Sequence, residues 1–229
     1  MPAVFVTATG TEIGKTFVTA GLAVHLRQQG RKVAIIKPVV SGFDEKAIAS
    51  SDPALLLEAL GQEPSLAAIA AMSPWRFTAP LSPDMAARLE DGAIDFASLV
   101  SFCRSAIAQA EDVLLIEGIG GLMVPLTVGT TVLDLIEALR IVPIVVAGTY
   151  VGSLSHTLTA LEVMRRRGID LGALALNETP GSAASPEETA ASLRNFCGTI
   201  PIITFRRDAA AANAEAFERL AELVKRRQS

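Results

Sequence analysis

The chain has 229 residues, half of them hydrophobic, with 20 Lys and Arg against 24 Asp and Glu and a net charge of −4. That length and apolar content suit one α/β domain, residues 1–229, with a sizeable core. The acidic balance argues against a nucleic-acid face, and no apolar run approaches the roughly 20 residues of a membrane span.

The two basic runs, Arg165-Arg166-Arg167 and Lys225-Arg226-Arg227, fall at predicted helix ends, where cations favour the dipole. Met1-Pro2-Ala3 leads into a strand with no charged n-region or apolar h-region, so a cytoplasmic protein is expected. Cys103 and Cys197 are far apart in apolar helical patterns and read as small buried hydrophobes.

An apolar run at 3–6 leads into Thr7-Ala8-Thr9-Gly10-Thr11-Glu12-Ile13-Gly14-Lys15-Thr16, and a helical pattern at 15–29 leads out. Strand, glycine-bearing turn, Gly-Lys-Thr and helix together describe a phosphate-binding loop. Its N–H groups and helix N-terminus attract an anion. Lys15 reaches terminal phosphates and the Thr16 hydroxyl suits Mg²⁺. The usual G-x-x-x-x-G-K-[ST] is not met in full: Thr9 stands where the first glycine belongs, and Gly10 follows it.

Gly30 closes the helix as its C′ residue. A buried strand at 32–36 ends in Lys37-Pro38-Val39-Val40-Ser41-Gly42, which puts Lys37 and Ser41 where doubly wound folds bind ligands. Asp52, opening a short helix that Gly61 ends, fits an N-cap or a carboxylate aimed at a metal; local sequence does not decide. The stretch 74–83 holds three of the twelve prolines and the only Trp, and reads as a rigid irregular segment, either pocket wall or connector. Asp95 caps a helix running to 110.

A strand at 112–116 ends in Glu117-Gly118-Ile119-Gly120-Gly121. An acidic residue at such a tip, downstream of a phosphate loop, is how these enzymes present a second carboxylate to Mg²⁺. A helix at 131–139, a strand at 142–147, a loop at 148–156 opening a helix to 167, and a strand at 171–176 ending at Asn177 follow. Next come a helix to 196, a strand at 199–203 broken by Pro201 and so at an edge, and a terminal helix at 209–227. About six strands alternating with helices give a three-layer α/β/α fold around a mostly parallel sheet.

With these residues in place, the chain resembles dethiobiotin synthetase over nearly its whole length. The motifs that carry the resemblance are the phosphate loop, Lys37-Pro38-Val39-Val40-Ser41-Gly42, Ser51-Asp52, Glu117-Gly118-Ile119-Gly120-Gly121, Gly152-Ser153-Leu154-Ser155-His156 and Asn177. The resemblance implies a P-loop ligase that closes a urea ring on 7,8-diaminononanoate with CO₂, ATP and Mg²⁺. It implies Lys15, Lys37 and Thr11 as catalytic groups, with Ser41 and Pro80 on the substrate side. Thr16, Asp52 and Glu117 would hold Mg²⁺. ATP would meet Glu12, Ile13, Gly14, Phe17, Gly118, Ile119 and Gly120, with Asn177, Glu178 and the backbone of Pro201, Ile202 and Ile203 near the adenine and Asp208 near the ribose. A homodimer is implied, in which Gly152, Ser153 and Ser155 take the substrate carboxylate for the neighbouring subunit. The family usually has Gly at Ala8, often Asp at Gly10, and commonly His at Asp84.

Two rival readings share the fold. Septum-positioning switch ATPases carry a second lysine early in the loop, which Gly10-Thr11-Glu12-Ile13-Gly14-Lys15 lacks. Glutaminase-coupled ligases of corrin synthesis need a further domain for which this chain has no room.

Overall fold

The computed structural model describes residues 3–226. Met1, Pro2 and Arg227, named above in the first strand and the last basic run, lie outside them.

Six parallel strands form the central sheet: β1 (Ala3–Ala8), β2 (Val33–Ile36), β5 (Val113–Glu117), β6 (Val142–Gly148), β7 (Ala173–Asn177) and β8 (Ile202–Phe205), in the order β2-β5-β1-β6-β7-β8. Alternation along each strand divides side chains between two cores. Val113 and Leu115 of β5 face one core with Val4 and Val6 of β1; Leu114 and Ile116 face the other with Phe5. Both faces are therefore apolar, and both need helices.

One face takes α1 (Lys15–Gln28), α2 (Asp52–Ala59), α3 (Leu66–Met72) and α9 (Ala210–Arg226), through Leu22, Leu26, Leu56, Ile69, Phe217 and Leu220. The other takes α4 (Pro83–Leu89), α5 (Phe96–Gln109), α6 (Val132–Leu139), α7 (Ser153–Arg166) and α8 (Pro186–Cys197), through Ala86, Leu99, Leu133, Met164 and Leu193. Each fully buried Leu contributes about 1.5–3 kcal/mol by leaving water. Cys103 and Cys197 are free and buried here, as expected, and burial pushes the Cys103 thiol up to about 12.

Local signals set most boundaries. Asp95 caps α5 by accepting the Ser98 N–H at 3.0 Å, and Thr131 and Asp134 make a capping box at α6. The arginine run is neutralised rather than offered to a partner: Arg165 and Arg166 pair with Glu162, and Arg167 pairs with Asp134 and Glu137. No described helix is long and apolar enough to cross a membrane.

Three expectations change. The last strand runs Ile202–Phe205, not 199–203, because Pro201 has no N–H to donate and stands before the ladder; its carbonyl still accepts the Leu174 N–H at 2.9 Å. It is the edge strand, paired with β7 alone. The proline-rich stretch is irregular only in its middle. It begins with a two-residue strand β4 (Trp75–Arg76), parallel to β3 (Val39–Val40), and Pro83 opens α4 at a position where the missing N–H is not needed. Helix α3, capped by Ser65, had no counterpart in the sequence reading.

Gly21, inside α1, gives a test of the packing. A methyl group there would raise helix propensity by about 1 kcal/mol, but it would lie 2.0 Å from the Phe217 ring. Gly21→Ala is therefore expected to destabilise the protein by about 1–3 kcal/mol, read by urea denaturation. An unchanged or raised stability would contradict the α1–α9 contact.

Candidate active site

The phosphate loop, residues 9–14, joins the tip of β1 to α1. Gly14 is the helix N-cap at φ 99°. It also has no room for a side chain, since a Cβ would lie 2.1 Å from Asn177 Nδ2. That amide comes from the tip of β7 and donates to the Ile13 carbonyl at 2.9 Å, so one strand end braces the loop borne by another. Glu12, though not glycine, also has a left-handed φ of 58°, strain of a kind that persists where surrounding structure holds it. Where the motif departs from the usual pattern, Gly121 backs directly onto the loop: a Cβ there would stand 3.1 Å from Gly10 N and 3.2 Å from the Thr9 carbonyl carbon. Thr11 lies exposed at the loop tip.

The strand order β2-β5-β1 then delivers the charges. Lys37, one residue beyond β2, is 3 % exposed. Its Nζ donates to Glu117 Oε1 at 2.5 Å and to Asp52 Oδ2 at 2.7 Å. Glu117, the last residue of β5, is fully buried and also accepts the Thr16 hydroxyl at 2.8 Å. Lys15 is 7 % exposed and reaches back to the Gly10 carbonyl at 3.3 Å. Asp52 is the first residue of α2, with half its side chain in solvent; the helix cap is Ser51, which accepts the Ala54 N–H. The structure thus decides the open alternative: Asp52 faces the charge cluster.

Electrostatics separate the two lysines. Burial, then the Lys37 charge, lower Lys15 to about 8, against the pull of Glu117 and Asp52. Burial also opposes the Lys37 charge, but Glu117 and Asp52 outweigh it and hold its pKa above the ordinary lysine value. Burial pushes Asp52 up; Lys37 and the Thr16 hydroxyl outweigh it and hold the carboxyl below the usual range. The donors near this point, a hydroxyl and two carboxylates, are the hard oxygens Mg²⁺ prefers. Glu117 Oε2, buried with no partner among the described residues, is a further acceptor suited to a cation. The residues present fit the metal.

Beside the loop lies a cavity of about 360 Å³. Glu12, Ile13, Gly14 and Phe17 form one wall, Asn177, Glu178, Thr179 and Pro180 a second, and Arg206, Arg207, Asp208 and Asn213 a third. Glu178 fixes the third wall by accepting the Arg207 N–H at 2.8 Å, and Asn213 brackets Arg206 through both its backbone N–H and its carbonyl. Asp208 turns the chain at φ 55°.

The residues expected beside the adenine, Pro201, Ile202 and Ile203, do not line this cavity. Pro201 lines a groove between α7 and α8 together with Leu171 and Gly198, and Ile203 is wholly buried in mid-strand, level with Ala175. The residue level with Asn177 is Phe205, so the backbone that faces the cavity is 206–208. Arg206, Arg207, Thr179, Pro180 and Asn213 were missed; shifting the strand past Pro201 is the signal that finds the first two. Gly118 and Ile119 are not brought to the cavity either, but line a small void with Pro38 and Val39, and the Gly118 N–H donates to the Val6 carbonyl. Gly120 turns at φ 58° against Val124.

Of the residues expected to meet substrate, Ser41 precedes Gly42, whose N–H donates to the Ala79 carbonyl at 3.0 Å and where a Cβ would stand 3.3 Å from Pro80. Asp84 is engaged locally by Ser82 and Arg88. Gly152 caps α7 at φ 95°. Ser153 is buried with its N–H on the Tyr150 carbonyl, while Ser155 is exposed and Val151 is 99 % exposed.

A family model described as an AAA domain matches residues 2–211. An ATP-dependent dethiobiotin synthetase of Methylobacterium nodulans is 44 % identical over 203 residues, covering 86 % of this chain and 90 % of that one. The chain belongs to the dethiobiotin synthetase family. A second relative of that name, from Phenylobacterium zucineum, is 39 % identical over 93 % of this chain and 92 % of its own. Membership makes the protein a P-loop ligase with ATP as co-substrate. Among solved structures, the septum site-determining protein MinD of Pyrococcus horikoshii with Mg-ADP superposes at a TM-score of 0.57 over all of this chain and 97 % of its own, with 20 % identity. The signal recognition particle receptor FtsY of Elizabethkingia anophelis gives 0.54 over 97 % and 65 %, with 14 % identity. These show the shared fold, and the switch-ATPase reading has no other support.

Breaking a buried ion pair strands a charge, at a cost of about 3–5 kcal/mol. Lys37→Met and Glu117→Gln should each destabilise the protein by that order in urea denaturation. The double variant should cost clearly less than their sum, since neither charge is then stranded. Additive losses would contradict the pairing.

Proposed function

We propose that this protein closes a urea ring on 7,8-diaminononanoate, consuming CO₂ and ATP with Mg²⁺, to release dethiobiotin, ADP and phosphate. One substrate amine adds to CO₂ and loses a proton, giving a carbamate. A carbamate oxygen attacks the γ-phosphorus and ADP leaves, forming a carbamic–phosphoric anhydride. The second amine attacks the carbonyl carbon and phosphate departs.

The observation that carries this reading is the pair of buried ammonium groups, Lys15 at the start of α1 and Lys37 beyond β2, which flank Glu117 at the tip of the intervening strand β5. Carbamate and γ-phosphate are both anions and must touch. Phosphoryl transfer asks the protein mainly for positioning and charge neutralisation. Lys15 bridges the γ-phosphate and the carbamate; Lys37 stabilises the carbamate and the transferring group. Thr11 and Ser41 hydrogen-bond the substrate nitrogens or carbamate, and Pro80 shapes the wall beside them. Thr16, Asp52 and Glu117 would hold Mg²⁺, which when bound neutralises phosphate charge. Asn177 and Glu178 serve the adenine side and Asp208 the ribose.

The substrate carboxylate is assigned to the Gly152–Ser153–Leu154–Ser155 turn of a neighbouring subunit in a homodimer. The first-turn N–H groups of Leu154 and Ser155 are donors that a helix leaves without internal acceptors. The exposure of Val151 and Leu154 at that turn suits a surface covered by a second subunit.

Purified protein given ATP, Mg²⁺, bicarbonate and 7,8-diaminononanoate should form dethiobiotin, with ATP consumption that depends on the diamine and stops on chelation. ATP turnover indifferent to the diamine would contradict the assignment. Lys37→Gln should lower kcat by about a hundredfold or more, as expected for losing one transition-state donor, while ADP affinity holds. A matching loss of ADP binding would move Lys37 from the transferring group to the nucleotide.

A further inference from the structure

The backbone ladder between β6 and β7 ends at the level of Gly148 and Asn177. Beyond it the two chains enter different loops, one towards Gly152–Ser155 and the other along the nucleotide cavity. They do not separate at once. The Thr149 N–H donates to Thr179 Oγ1 at 3.0 Å, and the Thr179 N–H donates to Thr149 Oγ1 at 3.0 Å. The Ser182 hydroxyl donates to the Thr149 carbonyl at 2.6 Å. Thr149 is 4 % exposed. Gly148 leaves space for this contact, since a Cβ there would lie 2.6 Å from Thr179 Oγ1.

We propose that Thr149 and Thr179 are positioning residues, a reciprocal clasp that makes the nucleotide-side loop and the carboxylate-side loop one mechanical unit. On one side, Thr179 lines the nucleotide cavity two residues after Asn177, whose amide holds the phosphate loop at Ile13. On the other, Thr149 sits three residues before Gly152, and Tyr150 anchors the Ser153 N–H. The bonded path therefore runs from phosphate loop to carboxylate turn through these two hydroxyls. Each accepts from the other's backbone, so losing either hydroxyl frees an N–H on the opposite loop. Ordering of one loop by its ligand thereby favours the binding form of the other. The inference rests on the proposed role of the Gly152–Ser155 turn.

Thr149→Val and Thr179→Val remove the hydroxyls at nearly constant volume; Thr149→Ser and Thr179→Ser retain them. Thr179→Val should raise the KM for the diamine by about three- to tenfold, the loss of roughly one net hydrogen bond, with kcat changed far less. Thr149→Val should weaken ADP binding to a similar degree, and both Ser variants should restore native values. Effects confined to each residue's own ligand, or a lowered melting temperature with both affinities intact, would overturn the clasp. An independent arm needs no variant: ADP should slow hydrogen exchange at the Thr149 and Ser153 amides, and unchanged exchange there would overturn it equally. Ser155→Pro, which removes one of the proposed first-turn N–H donors, separates the two readings. An unchanged diamine KM in that variant sinks the carboxylate assignment, while the exchange result still judges the clasp.

Discussion

The buried ion pair between Lys37 and Glu117 governs the arrangement of this molecule. Taking two charges out of water costs several kcal/mol per ion before their attraction returns any of it. Well-packed apolar residues of similar size would serve stability as well or better. A lysine 3 % exposed and a glutamate fully buried, in hydrogen-bond contact at 2.5 Å, are therefore a poor device for stability and a good one for chemistry. Asp52 accepts from Lys37 and Thr16 donates to Glu117 Oε1, which leaves Glu117 Oε2 buried and without a partner among the described residues.

The sheet supplies the geometry. With β5 between β2 and β1, Glu117 stands between the strand tip that leads to Lys37 and the loop that carries Lys15 and Thr16. The same order places β6, β7 and β8 on the far side of β1, and the chain beyond β7 and β8 lines the cavity beside the phosphate loop. Two residues with left-handed backbone, Glu12 and Asp208, line that cavity. Non-glycine residues rarely hold such φ values; of the four among the described residues, Asp91 and Arg140 follow the ends of α4 and α6, and Glu12 and Asp208 meet at this cavity.

Much of this was legible in the sequence, for reasons that differ by element. The central strands are apolar on both faces, and the phosphate loop has chemistry at fixed spacing, so strand ends and charged tips were read together. Glu117 and Lys37 were found because each directly follows an apolar run. What was illegible was non-local. Asp52 looks the same in sequence whether it caps a helix or faces Lys37; the choice lies in the packing of α2 against α1. The last strand was misplaced because Pro201 was taken as an interruption rather than a boundary, so the backbone expected at the cavity beside the phosphate loop was sought before β8 rather than after it. Gly118 and Gly120, read as ligand contacts, also have local reasons to be glycine, close packing on Phe5 and a turn at Val124. Helix α3 has a run of alanines with little periodicity, and its cap at Ser65 was its one signal.

The central claim is that two ammonium groups, brought together on either side of the β5 tip, act on one phosphoryl group. A crystal structure with a non-hydrolysable ATP analogue tests it directly. The account predicts that Lys15 Nζ and Lys37 Nζ both lie within hydrogen-bond distance of γ-phosphate oxygens. Lys37 bound to Glu117 and Asp52 alone, with its ammonium turned away from the nucleotide, would contradict it.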